Sequence, residues 1–315
     1  MKVYFDTNVY DRISRSGQDV SVLSLIRSRR ARVLASDDNL LELLAITDEA
    51  ARVERIRTLT TVASEFEQTP ESWRHALEVR REVNRCRRRW IRPRPELDEA
   101  RQFLDGHIRR WTDARRLKLP PPHAFAAYRR VAQAGAKQAR EFQKFHRKSR
   151  LENDVRHILA TADPALPQVP VDLGNPELFW RATCMTIWHS AIEVRHPAMR
   201  DYADWLSPYL KDHSFGDPTY PRFWLEEVDP LHVPRNRVAS LCSFYQTDES
   251  IRLSNAQDQL HACYVLDVDV FVTGDGGLFR TLEQIRADHL RSAATLIHLD
   301  PKEDVAEQLA SALSR

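Results

Sequence analysis

Glycine is scarce in this chain, with 8 residues in 315, and cysteine scarcer still, with 4. Cys86, Cys184, Cys242 and Cys263 are widely spaced and form no C-x-x-C pair, which argues against a disulfide framework or a zinc site and fits a reducing compartment. No apolar run approaches the roughly 18 residues needed to cross a bilayer, and the first residues lack the basic, apolar and cleavable parts of a signal peptide. A soluble, cytoplasmic protein with no membrane partner is the expectation. There is no internal repeat, no low-complexity linker and no H-E-x-x-H or related spacing among His189, His196, His213 and His232.

The chain also lacks a strong overall charge, at +2, but the distribution is uneven. Residues 71–150 hold 23 Lys or Arg against 9 Asp or Glu, and the remainder holds 24 against 36. So basic a segment in a nearly neutral protein points to an anionic partner, nucleic acid first, with a solvated arginine-rich helix face as the plainer alternative. Arg80, Arg81, Arg85, Arg88, Arg129, Arg130, Lys137, Arg140 and Lys144 are the candidate backbone-binding residues.

At both ends the pattern is α/β. Lys2 to Phe5 is a short apolar run ending at Asp6-Thr7-Asn8, and Asp269-Val270-Phe271-Val272-Thr273 is a second, ending at Gly274-Asp275-Gly276-Gly277. Both read as buried parallel strands, and the glycines are expected to permit a tight backbone beside Asp275. Arg32 to Ala35 gives another strand. Ser36-Asp37-Asp38-Asn39 then offers several N-caps for a helix carrying Glu42; with Asn39 as the cap, Glu42 would serve as an N3 capping glutamate. Residues 294–299 give a closing strand. In open α/β sheets ligands bind beyond the carboxyl ends of the strands, so Asp6 and Asp275 can share one crevice.

The middle of the chain is helical. Helices are expected from Pro70 to about Trp90, from Glu96 to Leu117 with Leu97, Ala100, Leu104, Ile108 and Trp111 inward, and from His123 onward. Further helices are expected over 176–194, 199–210 and 237–245. The tryptophans of 176–225 fit either a core or a docking face. The expected organisation is a discontinuous α/β domain, 1–66 and 250–315, interrupted by a helical insertion, 67–249, basic in 71–150.

Taken together, V-Y-F-D-T-N-V (Asp6), S-D-D-N-L-L-E-L-L (Glu42), N-A-Q-D-Q-L-H-A-C-Y-V (Asp258) and V-F-V-T-G-D-G-G-L (Asp275) resemble the PIN-domain nuclease family. The resemblance covers about 132 residues and departs from simple members by the long insertion. It implies a three-layer α/β/α fold with a central, mostly parallel sheet, plus the all-helical insertion. It implies catalytic and metal-binding roles for Asp6, Glu42, Asp258 and Asp275. Asn8 and Thr273 then stand as supporting residues, or as turn stabilisers.

Chemistry gives a separate reason for such a set. Convergent carboxylates raise one another's pKa unless a cation neutralises them, and oxygen-only donors favour Mg²⁺ or Mn²⁺. The expectation is a metal-dependent endonuclease, an endoribonuclease acting on RNA. DNA or a branched substrate is the alternative, and a non-cleaving module that binds nucleic acid or protein is another. The family also admits an inhibitory protein partner, and the oligomeric state stays open. Asp267-Val268-Asp269 looks like a second acidic motif, but it precedes a strand and reads as a helix-to-strand turn.

Overall fold

In a computed structural model the chain is described over residues 1–95, 97–120, 174–195, 199–211, 217, 219–246, 255–290 and 293–314, with single positions at 124, 126, 137, 140, 141, 144, 147 and 148. The strands are β1 (Lys2–Phe5), β2 (Arg32–Ala35), β3 (Glu65–Phe66), β4 (Val270–Thr273) and β5 (Thr295–His298). Before the basic segment come helices α1 (Thr7–Ser16), α2 (Asp19–Ser28), α3 (Asp37–Leu44) and α4 (Glu49–Val62). They are followed by α5 (Glu71–Cys86), α6 (Asp98–Arg115), α7 (Pro176–Trp188), α8 (Arg200–Leu206), α9 (Pro234–Gln246), α10 (Asn255–Ala262), α11 (Gly276–His289) and α12 (Val305–Ala312).

The chain divides into two units. The first takes in 1–70, 104–134 and 260–315, the second 71–103 and 135–259. The expected boundaries at 66/67 and 249/250 therefore fall at 70/71 and 259/260, and residues 104–134 group with the α/β part rather than with the rest of the insertion.

The α/β unit is built on a five-stranded, all-parallel sheet in the order β3-β2-β1-β4-β5. Alternation along each strand divides it into two apolar faces. Val3, Phe5, Val33, Ala35, Val270 and Val272 join one buried cluster with Val9, Ile13, Val22, Ile26, Ile56, Leu59, Val305 and Leu309 from α1, α2, α4 and α12. On the other face Tyr4 stacks on Tyr264 at 4.3 Å and meets Phe271 at 5.3 Å. With both faces covered, the strands read as continuous apolar runs, which is why β1, β2 and β4 are visible in the sequence. β3 is not: it has two residues, and Phe66 is held by stacking on Trp111 of α6 at 4.5 Å.

α6 buries only part of the stripe expected from its apolar residues: Trp111 packs on the core, and Ile108 does not. Ile108 is 42% exposed, whereas His107 and Ala114 are buried. His107 Nε2 lies 3.0 Å from the Glu67 carbonyl and its Nδ1 lies 3.2 Å from Asp37; Arg110 donates to Asp37 at 2.7 Å. This polar clamp, with the Phe66–Trp111 stack, ties the second half of α6 to the α/β unit.

The helical unit has an aromatic core. Trp90, Trp180, Trp188, Trp224, Phe179 and Phe223 are fully buried, which settles the tryptophan-rich stretch as core. α5 ends at Cys86, and a 3₁₀ turn (Arg88–Trp90) carries the chain on. Its inward face is Ala76, Val79 and Val83 together with three buried acids, Glu71, Glu78 and Glu82. Each acid is matched. Glu71 accepts from Arg235 at 2.6 Å, Glu78 accepts the backbone N–H groups of Arg235 and Asn236 at the start of α9, and Glu82 accepts from Arg85, the Asp229 N–H and His232. Among the described residues no helix is long and apolar enough to cross a membrane, and all four cysteines are free.

Burial works against the Glu71 carboxylate, but His75 and Arg235 outweigh it and hold its pKa at about 2, below the ordinary 4.5. A depressed folded pKa contributes stability that is fully present above 4.5 and is lost as pH falls toward 2. The helical unit is therefore expected to lose stability across that window, and Glu71→Gln to flatten the loss. Because Glu71→Gln removes a charged partner of the buried Arg235 guanidinium, it should cost about 3–5 kcal/mol at neutral pH in denaturant melts; a cost under about 1 kcal/mol would refute the account.

Candidate active site at the carboxyl ends of β1 and β4

β1 and β4 are neighbours, paired Val3 to Val270, Tyr4 to Phe271 and Phe5 to Val272. The strand order runs outward from them in opposite senses, so their carboxyl ends form the switch point at which open α/β sheets bind ligands. Asp6 follows β1 directly and Asp275 follows β4 after Gly274. Each acid is also a helix N-cap. Asp6 Oδ1 accepts the Thr7 N–H at 2.7 Å, and Asp275 Oδ1 accepts those of Gly277 and Leu278 at 2.7 and 3.1 Å.

Thr273 and Asn8 link the two strand ends. The Thr273 hydroxyl donates to Asp6 Oδ2 at 2.7 Å and accepts the Asp275 N–H at 2.9 Å. Asn8 donates its amide to Asp6 Oδ2, and its carbonyl oxygen accepts the Gly274 N–H at 2.7 Å. Both residues bond to Asp6 and to the backbone at Gly274 or Asp275.

The glycines serve differently from the expectation. Gly274, Gly276 and Gly277 do not have positive φ; among the described glycines only Gly17 does. Gly274 leaves room for Asn8, since a Cβ there would stand 3.0 Å from Asn8 Oδ1 and press on it.

Glu42 is not a capping glutamate. The N-cap of α3 is Ser36, with Asn39 at N3 in a reciprocal capping box: the Asn39 N–H reaches Ser36 Oγ at 3.2 Å and the Ser36 N–H reaches Asn39 Oδ1 at 3.0 Å. α3 thus begins earlier than an Asn39 cap would set, and Glu42 falls in its second turn. There Glu42 Oε1 lies 3.2 Å from Nε2 of His261, a buried residue of α10. His261 Nδ1 in turn meets the Tyr4 hydroxyl at 2.5 Å, which meets Ser36 Oγ at 3.0 Å.

The three charged groups act on one another. Burial pushes the Asp6 carboxyl up; His261 pulls it down and Glu42 pushes it further up. For His261, burial disfavours the imidazolium, but Glu42, Asp6 and Asp38 overcome it and push the pKa up to about 10. Asp38 lies four residues before Glu42, on the same side of α3. His261, Tyr4 and Asp38 are the members that sequence reasoning missed. The i,i+4 spacing of Asp38 and Glu42 was the one available signal.

Asp258, also on α10, falls with the helical unit, where its Oδ2 accepts from Gln246 at 3.0 Å. Asp269 belongs to no site: its carboxylate accepts the Lys2 N–H at 2.6 Å, supporting the turn reading.

Among the basic candidates, Arg85 is committed to Glu82 and to the Glu227 carbonyl, and Arg80 lies over the Tyr209 ring at 4.3 Å. Arg81, Arg88, Lys137, Arg140 and Lys144 are exposed, Lys144 in an ion pair with Glu141. Arg129 and Arg130 lie outside the described residues. His189 packs on Tyr220 and His232 pairs with Glu82, both structural roles.

Chemically, Asp275 Oδ2 and Glu42 Oε2 carry no hydrogen bond among the described residues, and the acidic set offers oxygen donors only. Such a set suits a hard divalent cation. No family model, curated protein or solved structure matches this chain.

Gly274→Ala tests the coupling of the strand ends. The added methyl must displace Asn8 and with it a donor to Asp6, at an expected cost of about 1–3 kcal/mol in a denaturant melt. Asn8→Ala in the same background should then add little; full additivity would show that the two do not act through each other.

Proposed function

We propose that the α/β unit is a PIN-like nuclease domain that hydrolyses phosphodiester bonds, with RNA as the substrate. The observation that carries this reading is the placement of Asp6 and Asp275 at the switch point between β1 and β4, joined through the Thr273 hydroxyl, with Glu42 acting on the Asp6 carboxyl. Mg²⁺ or Mn²⁺ held by Asp6, Glu42 and Asp275 would supply water activation and neutralisation of the developing charge on the phosphate.

The chain's own residues do the rest. Thr273 and Asn8 hold Asp6 Oδ2 in one orientation, and the helix N-terminal N–H groups hold Asp275 Oδ1, so that its Oδ2 faces away from the cap. The Arg-rich helical segment supplies backbone binding through exposed side chains such as Arg81 and Arg88.

Cleavage of single-stranded RNA, structured RNA and matched DNA in Mn²⁺ or Mg²⁺ tests the reading. Asp6→Asn and Asp275→Asn should each lower the rate at least about 100-fold, and Asp258→Asn reports whether the fourth acid takes part. Equal background cleavage by wild type and both variants would refute nuclease activity, and preference for DNA would refute the substrate. Binding should weaken steeply with salt, and Arg81→Ala with Arg88→Ala should reduce the log–log slope by about 0.7 for each phosphate that is no longer neutralised.

A further inference from the structure

The acidic site contains a buried histidine that is neither a carboxylate nor part of the strand-end hydrogen bonds. His261 is 1% exposed, and both ring nitrogens are engaged. Nε2 lies 3.2 Å from Glu42 Oε1, and Nδ1 lies 2.5 Å from the Tyr4 hydroxyl. The Tyr4 hydroxyl continues to Ser36 Oγ, Ser36 Oγ–H donates to Asn39 Oδ1 at 3.1 Å, and Asn39 Nδ2 donates to the Phe5 carbonyl at 3.2 Å and to Thr7 Oγ1 at 3.1 Å. Phe5 and Thr7 flank Asp6. A run of hydrogen bonds therefore connects the Phe5 carbonyl and the Thr7 hydroxyl, on either side of Asp6, with the carboxylate of Glu42, and His261 is its last link.

We propose that His261 is a positioning residue: it takes up one oxygen of Glu42, is itself fixed by Tyr4, and so sets the direction in which the second oxygen of Glu42 faces the cation site. This rests on the nuclease reading above. The physical need is plain. Glu42 sits on a helix, has three rotatable bonds, and its carboxylate has no hydrogen bond other than the one with His261 among the described residues. Asp6 and Asp275 are fixed by caps and by Thr273, so Glu42 is the acid whose orientation depends on a partner. An imidazole that is buried and bonded on both nitrogens cannot rotate away, and partners of this kind typically set ligand orientation at metal centres.

The test uses the full chain and Mn²⁺ alone, followed by calorimetry, with RNA cleavage as a second readout. His261→Ala should weaken Mn²⁺ binding about 10- to 100-fold, while His261→Gln, which keeps an N–H donor near Glu42, should recover part of the loss. Tyr4→Phe removes only a hydroxyl and preserves the core shape, so it guards against a folding failure of the alanine variant; it should weaken Mn²⁺ binding in the same direction by a smaller factor. In cleavage, a positioning role lowers kcat with KM for RNA little changed, whereas general loss of structure lowers both binding and melting temperature.

Wild type that binds Mn²⁺ while folded His261→Ala and Tyr4→Phe bind it equally well would overturn the proposal and leave the nuclease reading standing. Wild type that binds no Mn²⁺ would overturn both.

Discussion

The acidic end of the sheet depends on one interaction, the parallel pairing of β1 with β4. It places Phe5 against Val272, continues as the hydrogen bond from the Asp6 N–H to the Val272 carbonyl, and is closed at the other end by Lys2 and Asp269. Without that register Thr273 would not reach Asp6, nor Asn8 reach Gly274. A slip of one residue would turn Tyr4 away from Tyr264 and His261 and move every apolar side chain to the opposite face. The same pairing that fills the core thus determines which polar groups meet above it.

Polar groups are matched with similar economy elsewhere. Asp37 sits beside Asp38 in α3, yet the two face different partners: Asp37 is neutralised by Arg110 and His107, whereas Asp38 acts on His261 and Tyr4. Neighbouring carboxylates in one helical turn therefore separate into one that fastens α6 and one that adds negative charge to the site. In the helical unit the row Glu71, Glu78 and Glu82 works as Asp37 does, each acid ending buried donors that would otherwise be costly.

Much of this was legible in the sequence. Strands buried on both faces leave apolar runs, and an acid at the end of such a run is conspicuous, so β1, β4, Asp6 and Asp275 stood out. Glu42 was visible as a residue but ambiguous in role, because four possible caps preceded it and only Ser36 and Asn39, once paired, show that the helix begins earlier. β3 was hidden because two residues carry no periodicity and its anchor, Trp111, belongs to a distant helix. The buried acids of α5 escaped notice, since their partners come from the start of α9 and the loop before it, more than 140 positions on. His261 escaped notice for the same reason. Its two partners lie 219 and 257 positions away, a separation no local pattern encodes.

That separation has a consequence in time. Lys2 and Asp269 are 267 positions apart, and β1 has β2 on one side early but no neighbour on the other until β4 has been made. At a synthesis rate of roughly 5–20 residues per second, about 13–53 s pass between the two. Through that interval Asp6 comes early while Thr273 and Asp275 are still to be made, so the growing chain carries half of its acidic centre. Completion waits for a loop closure that is among the last events of folding. The long insertion between the halves therefore acts as a delay, and the acidic centre comes together only after β4 has been made.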